Sequence, residues 1–173
     1  MKLELGSGQR PTPDYLHNDI NPFPGIDITC RASVIDWPDL SFSEVLALGV
    51  IEHMTYAEAK ATFANVHRML VPDGEFVFDV PDIGVWCAYL TAALAGRECP
   101  MTTEHIFGTL YGWQRWSGDE HKSGWTEPML REALGKVGFT RLALGVAEML
   151  KRGHHRNRFD HPADAHLYVV ATK

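Results

Sequence analysis

The sequence predicts an α/β fold, a mostly parallel sheet covered by helices on both faces, and three observations carry that reading. Short apolar runs alternate with stretches of helical periodicity, the pattern of strands joined by crossover helices. The first run ends in Gly6-Ser7-Gly8, a turn at the carboxyl edge where open α/β sheets bind ligands. The last two strand-like runs have no helical pattern between them, which predicts an antiparallel pair at one edge. With 173 residues, 45% of them hydrophobic, the chain has the size of one compact core, so a single domain over 1–173 is expected.

The predicted strands are 2–5, 16–19, 27–31, 44–48, 75–80, 141–146 and 165–171. Thr55 and Glu58 form the pattern of a capping box, after which Ala59, Phe63, Val66 and Leu70 share one helical stripe until Pro72-Asp73-Gly74 ends it. A second helix is predicted over 85–94, where Ala and Leu dominate and Gly96 follows as a cap. Thr126 precedes a third, in which Leu130, Ala133, Leu134 and Val137 share a face before Gly138. Two segments read as irregular: 100–125, rich in aromatic residues, and 152–162, rich in His and Arg.

The formal net charge of −6 disfavours a nucleic-acid partner, since phosphate neutralisation needs a concentrated basic face. Cys30, Cys87 and Cys99 are widely spaced and include no C-x-x-C pair, so neither a disulfide framework nor a zinc knuckle is expected. His154, His155, Asp160, His161 and His166 are metal-ligand types without the spacing of a closed site, and the expectation is no metal. Lys151, Arg152, Arg156 and Arg158 could attract an anionic substrate. No apolar run reaches membrane-spanning length and no leader pattern precedes the first strand; the expectation is no membrane partner and a cytoplasmic location.

Asp19 ends the second predicted strand, where a carboxylate can accept both hydroxyls of an adenosine ribose. A nicotinamide dinucleotide needs a third glycine and a helix N-terminus for its pyrophosphate. Here Pro11 and Pro13 occupy that region, and the spacing from Gly8 to Asp19 is too short for a full helix. A loop therefore replaces the helix, which suits a nucleoside ligand without pyrophosphate.

The chain resembles the class I methyltransferases that use S-adenosylmethionine (SAM), in particular compact members that lack helices before the first strand. The matching segments are 3–8, Asn18-Asp19-Ile20, 44–48 followed by Val50-Ile51-Glu52-His53, 68–74, Val80-Pro81-Asp82 and Gly138-Phe139, in family order along nearly the whole chain. The resemblance implies a doubly wound, Rossmann-like sheet of seven strands with the last reversed, with SAM as cofactor across the ends of the first and fourth strands. It assigns Glu4 to the methionine amino group, Gly6, Ser7 and Gly8 to the loop around the methionine and ribose, Asp19 to the ribose hydroxyls, and Ile20 to adenine packing. Leu48 and Gly49 fall beneath the cofactor. The family's aspartate after the third strand is absent, Cys30-Arg31-Ala32-Ser33 standing there, which leaves a backbone group or Ser33 to meet the adenine amino group.

The resemblance implies methyl transfer to a small-molecule acceptor, with a SAM-binding protein without activity and a nicotinamide-dependent oxidoreductase as the alternatives. The acceptor, the atom methylated and the oligomeric state are not legible. His53, His105 and His121 are the candidate catalytic bases, because neutral imidazole is available near neutral pH. Glu52 and His53 stand just before a helix, where fixing its start is an equally good role. Residues 104–125, with Trp113, Trp116, Trp125, Phe107 and Tyr111, read as a lid with Gly108, Gly112, Gly118 and Gly124 as flexible points and His105 and His121 facing the methyl group.

Overall fold

The computed structural model describes residues 1–145, Pro162 and 165–173. Seven strands form one sheet: β1 (Lys2–Leu5), β2 (Leu16–Asp19), β3 (Ile28–Thr29), β4 (Phe42–Leu48), β5 (Leu70–Pro81), β6 (Arg141–Leu144) and β7 (His166–Thr172). Their order is β3-β2-β1-β4-β5-β7-β6. Strands β1 to β5 pair in parallel, while β7 runs antiparallel to both β5 and β6. The edge pair predicted from adjacency is therefore present, with β7 inserted between β5 and β6.

Val45, Leu46, Ala47 and Leu48 are all buried, as expected of a central parallel strand covered on both faces. Helices α1 (Tyr56–Met69) and α4 (Glu127–Val137) contribute Phe63, Val66, Leu130 and Leu134 to the larger core, in which Phe76, Phe78, Trp125 and Phe139 also lie. Leu46, Leu48, Val77, Tyr168 and Val170 form the opposite face, with Tyr15 packed on it. Helices α2 (Ile83–Leu94) and α3 (Thr103–Tyr111) pack on each other through a third cluster that contains Trp86 and Ile106. Among the described residues no helix is long and apolar enough to cross a membrane.

The capping box is formed: the Thr55 side chain accepts from Glu58 N, and Glu58 reaches back to Thr55 N. Gly138 ends α4 in the left-handed conformation. Three expectations need correction. Helix α1 stops at Met69, and Pro72-Asp73-Gly74 lies inside β5, where the pairing with β4 shifts register between Phe42 and Glu44. Gly74 is required there because a Cβ would stand 2.8 Å from the Val71 carbonyl. The third strand is only Ile28–Thr29, shorter than predicted. Residues 100–125 are not wholly irregular: Thr102 caps α3 by accepting from His105 N, so local hydrogen bonding outweighed the glycine content of the segment.

Candidate functional site

The site lies along the carboxyl edge of β1, β2, β4 and β5. Strand β1 ends at Leu5 and the chain turns through Gly6 at φ +61°, a left-handed conformation that glycine adopts without strain. A Cβ on Gly6 would stand 2.5 Å from Val50 Cγ2, so the turn also rests directly on the residue that follows the β4 exit. Ser7 is fully buried, its N–H donating to the Asn18 carbonyl at 3.0 Å. Gly8 N donates to Asp19 Oδ2 at 2.9 Å, and Asn21 N to Oδ1 at 2.8 Å. The glycine turn and the β2 carboxylate thus form one hydrogen-bonded unit. No atom lies within 4 Å of a Cβ built on Gly8, so space is open beside it.

The loop in place of a first helix is held down by a buried acid. Glu4 is 1% exposed and accepts from Thr12 N at 2.7 Å and from Thr12 Oγ1 at 2.8 Å. Glu4 therefore carries a structural load that the sequence did not reveal, since Thr12 sits in a proline-rich loop with no periodic signal. Ile20 is 56% exposed next to Asp19. Ser33 is half-buried in a short 3₁₀ turn, Ala32–Val34, just after β3.

Beyond β4, Gly49 turns at φ +64° and donates its N–H to Asp79 Oδ1 at 2.8 Å. The signal for Asp79 was available: it is the single acid in the apolar run Phe76-Val77-Phe78-Asp79-Val80. A second 3₁₀ turn, Ile51–His53, then presents Glu52 and His53. His53 meets His121 edge to face, ring centroids 4.8 Å apart at 82°. Glu52 is 5% exposed, and one ligand-type atom from each of Glu52, His53 and His121 lies within 4.8 Å of the others. Sequence spacing could not announce this group, because it joins two distant segments.

Those segments are stitched by backbone hydrogen bonds. Lys122 N and Ser123 N donate to the Glu52 carbonyl at 2.8 and 3.2 Å, and Ser123 Oγ donates to the Ile51 carbonyl at 3.3 Å. His53 Nδ1 donates to the Glu120 carbonyl at 3.2 Å. On the other side, His121 N donates to the Tyr111 carbonyl at 3.0 Å at the end of α3. Burial holds the His53 imidazole below its usual pKa, partly offset by the Glu120 carbonyl and Asp119. Burial, reinforced by His53, lowers His121 to about 4. Burial pushes the nearby Asp119 up, yet hydrogen bonds from Arg115 N, Nε and Nη2 more than reverse this and keep its carboxyl below the usual range.

The lid reading is corrected in part. Trp125 is 2% exposed and packs on Phe63 and Tyr56, while its indole N–H donates to Ser123 Oγ at 3.0 Å. It is core filling, fixed by apolar burial. Nor are most of the glycines flexible points: a Cβ at Gly108 would meet the Trp113 ring at 2.9 Å, and one at Gly124 would meet Ile83 at 2.7 Å. Gly112, at φ +78° and ψ 153°, would bring a Cβ 2.1 Å from the Asp119 carbonyl. Trp116 is 61% exposed, and the Arg115 guanidinium lies over its ring.

His105 is not brought to the other two candidates. Its ring stacks on Trp86, centroids 6.0 Å apart, and meets Trp113 edge on. His166 stands 3.8 Å from Asp79. His154, His155, Asp160 and His161 lie outside the described residues, as do Lys151, Arg152, Arg156 and Arg158.

No family model matches the sequence, and no curated protein matches it. Solved structures do share the fold. A SAM-dependent methyltransferase from Thermotoga maritima aligns over 99% of this chain and 81% of its own, with a TM-score of 0.63 at 12% identity. The 1,6-didemethyltoxoflavin-N1-methyltransferase of Burkholderia thailandensis, solved with 1,6-didemethyltoxoflavin and S-adenosylhomocysteine, aligns over 99% and 70%, with a TM-score of 0.60 at 20% identity. A SAM-dependent methyltransferase from Mesorhizobium loti aligns over 99% and 90%, at 0.57 and 19%. The chain has the class I SAM-dependent methyltransferase fold.

Proposed function

We propose that the chain is a SAM-dependent methyltransferase acting on a small-molecule acceptor. The observation that carries this reading is the hydrogen-bonded unit of Gly6-Ser7-Gly8 with Asp19, built in that fold with a proline-containing loop in place of a pyrophosphate-binding helix. Asp19 takes the ribose hydroxyls, Ile20 the adenine face, and the glycine turn the ribose and methionine portions. Leu48 and Gly49 lie beneath the sulfur. Glu4 orients the amino group through the loop it holds, and Ser33 or a nearby backbone group meets the adenine amino group.

The sulfonium already carries an activated methyl group, so the protein mainly has to align the nucleophile with the S–CH₃ bond and exclude water. Such positioning can supply about 7 to 11 kcal/mol in favourable cases. As the acceptor lone pair forms its bond to the methyl carbon, the S–CH₃ electron pair stays on sulfur and leaves a neutral thioether. An acceptor that loses a proton needs a base. His53, on the turn after Gly49, and His121, whose ring meets it edge to face, are both held neutral by burial and are the bases we propose for that step. His105 is set aside from that role by its place between Trp86 and Trp113.

Calorimetric titration tests the reading. SAM and its demethylated product bind one site, and NAD and NADP do not. A dinucleotide that binds as tightly as SAM refutes the assignment.

A further inference from the structure

We infer that Glu52, His53 and His121 form a three-ligand site for a divalent transition-metal ion, whose open position takes the hydroxyl oxygen of the methyl acceptor. The metal site rests on these side chains alone; its use by an acceptor rests on the methyltransferase reading. One ligand atom from each residue lies within 4.8 Å of the others. An ion with bonds of about 2.1 Å spans ligand atoms about 3 to 4 Å apart, so small side-chain rotations close the set. Two imidazoles with one carboxylate favour first-row transition ions over magnesium or calcium, which take oxygen donors.

The surroundings have the features of a built site. Metal-binding histidines typically donate their second ring N–H to a carbonyl or carboxylate, which fixes the tautomer and aims the lone pair. His53 Nδ1 donates to the Glu120 carbonyl at 3.2 Å. A carbonyl can only accept, so His53 Nε2 carries the lone pair. The hydrogen bonds from Lys122, Ser123 and His53 lock the two ligand-bearing segments together before any ion arrives. Asp119, 5% exposed and held by Arg115, adds negative potential near both imidazoles.

Three protein ligands leave at least one position open. With their lone pairs on the ion the two imidazoles no longer serve as bases; a hydroxyl bound at the open position loses its proton to solvent more readily, because the cation stabilises the oxyanion. The oxyanion then forms the O–CH₃ bond while the S–CH₃ pair returns to sulfur. The acceptor class is accordingly a hydroxylated small molecule, methylated on oxygen.

The test is titration of the intact chain with Zn²⁺ and Co²⁺, with Mg²⁺ as the counter-probe. One Zn²⁺ site is expected, weakened at least about 100-fold by Glu52→Gln and by His121→Asn. A combined His154→Asn, His155→Asn and His161→Asn variant keeps it. SAM affinity, read on the same variants, stays within about three-fold, which separates loss of the metal site from loss of fold and from failure of the cofactor assignment. In the unsubstituted chain, Co²⁺ shifts or broadens the ring-proton resonances of His53 and His121, a readout that needs no variant. Zn²⁺ affinity unchanged by both substitutions, Mg²⁺ binding as tight as Zn²⁺, or unaffected His53 and His121 resonances overturns the site.

Discussion

The two ends of the carboxyl edge are built differently. At the proposed cofactor end, Gly8 bonds Asp19 across eleven residues of chain, and both partners belong to one strand-turn-strand unit. At the proposed acceptor end, His53 bonds the Glu120 carbonyl across 67 residues and Ser123 bonds Ile51 across 72. A local unit leaves a spacing in the sequence that can be read directly. A unit assembled from distant segments leaves none, and it depends on the packing of everything between them. The acceptor end should therefore fail chiefly through the fold, and the cofactor end chiefly through ligand affinity.

The largest expected effect is at the acceptor end. Trp125→Ala removes a fully packed indole from the Phe63 and Tyr56 cluster and should cost about 3 to 5 kcal/mol of stability. Thermal unfolding checks this, with a fall of roughly 10 °C expected. A variant that melts normally means that Trp125 is a lid residue after all.

Next comes Gly112→Ala, which forces an alanine into a backbone conformation reserved for glycine and against the Asp119 carbonyl. Strain of this kind costs about 1 to 3 kcal/mol, and the clash adds to it. Because Gly112 seats the end of α3 against residues 119–121, Zn²⁺ binding should weaken while SAM binding in the folded fraction does not. Loss of SAM affinity equal to the loss of metal affinity would erase the distinction between the two ends.

At the cofactor end, Asp19→Ala removes a charged acceptor, a loss of about 1.5 to 3 kcal/mol of ligand interaction, or roughly ten- to a hundred-fold in SAM affinity. Asp19→Asn, which preserves shape and part of the hydrogen bonding to Gly8 and Asn21, should bind SAM with intermediate affinity. Unchanged affinity in both variants moves the cofactor elsewhere.

The smallest effect lies at neither end. Burial lowers the His67 imidazole, which packs edge-to-face on Phe139. Because the folded pKa lies below the unfolded one, the unfolded chain binds the proton more readily, and stability falls as pH drops through about 6.5. His67→Gln should remove the His67 share of that slope, while His53 and His121, lowered by burial in the same direction, keep theirs. An unaltered profile assigns the pH dependence to other groups.

Much of the fold was legible because the signals were short-range. Thr55 with Glu58, Gly138 after α4 and the unbroken apolar run of β4 each dictate their element within a few residues. Pro72-Asp73-Gly74 misled because a turn triplet reads alike at a helix end and at a bulge within a strand. The aromatic segment misled because composition does not say whether an indole is buried, and only the approach of α1 decides that for Trp125. Glu52 was legible as a position, just past the β4 exit, but not as a member of a cluster, since His121 reaches it through tertiary structure. Thr12 and Asp119 gave no signal, being ordinary polar residues whose partners are set by loop conformation.

We propose that cofactor and acceptor meet where these two ends adjoin, at the contact between Gly6 and Val50 and the turn that carries Glu52. A crystal structure with S-adenosylhomocysteine and Zn²⁺ should then show ribose hydroxyls hydrogen-bonded to Asp19, sulfur above Gly49, and metal density among Glu52, His53 and His121 facing that sulfur. A nucleoside bound away from Asp19, or one whose sulfur points away from the Glu52 turn, contradicts it.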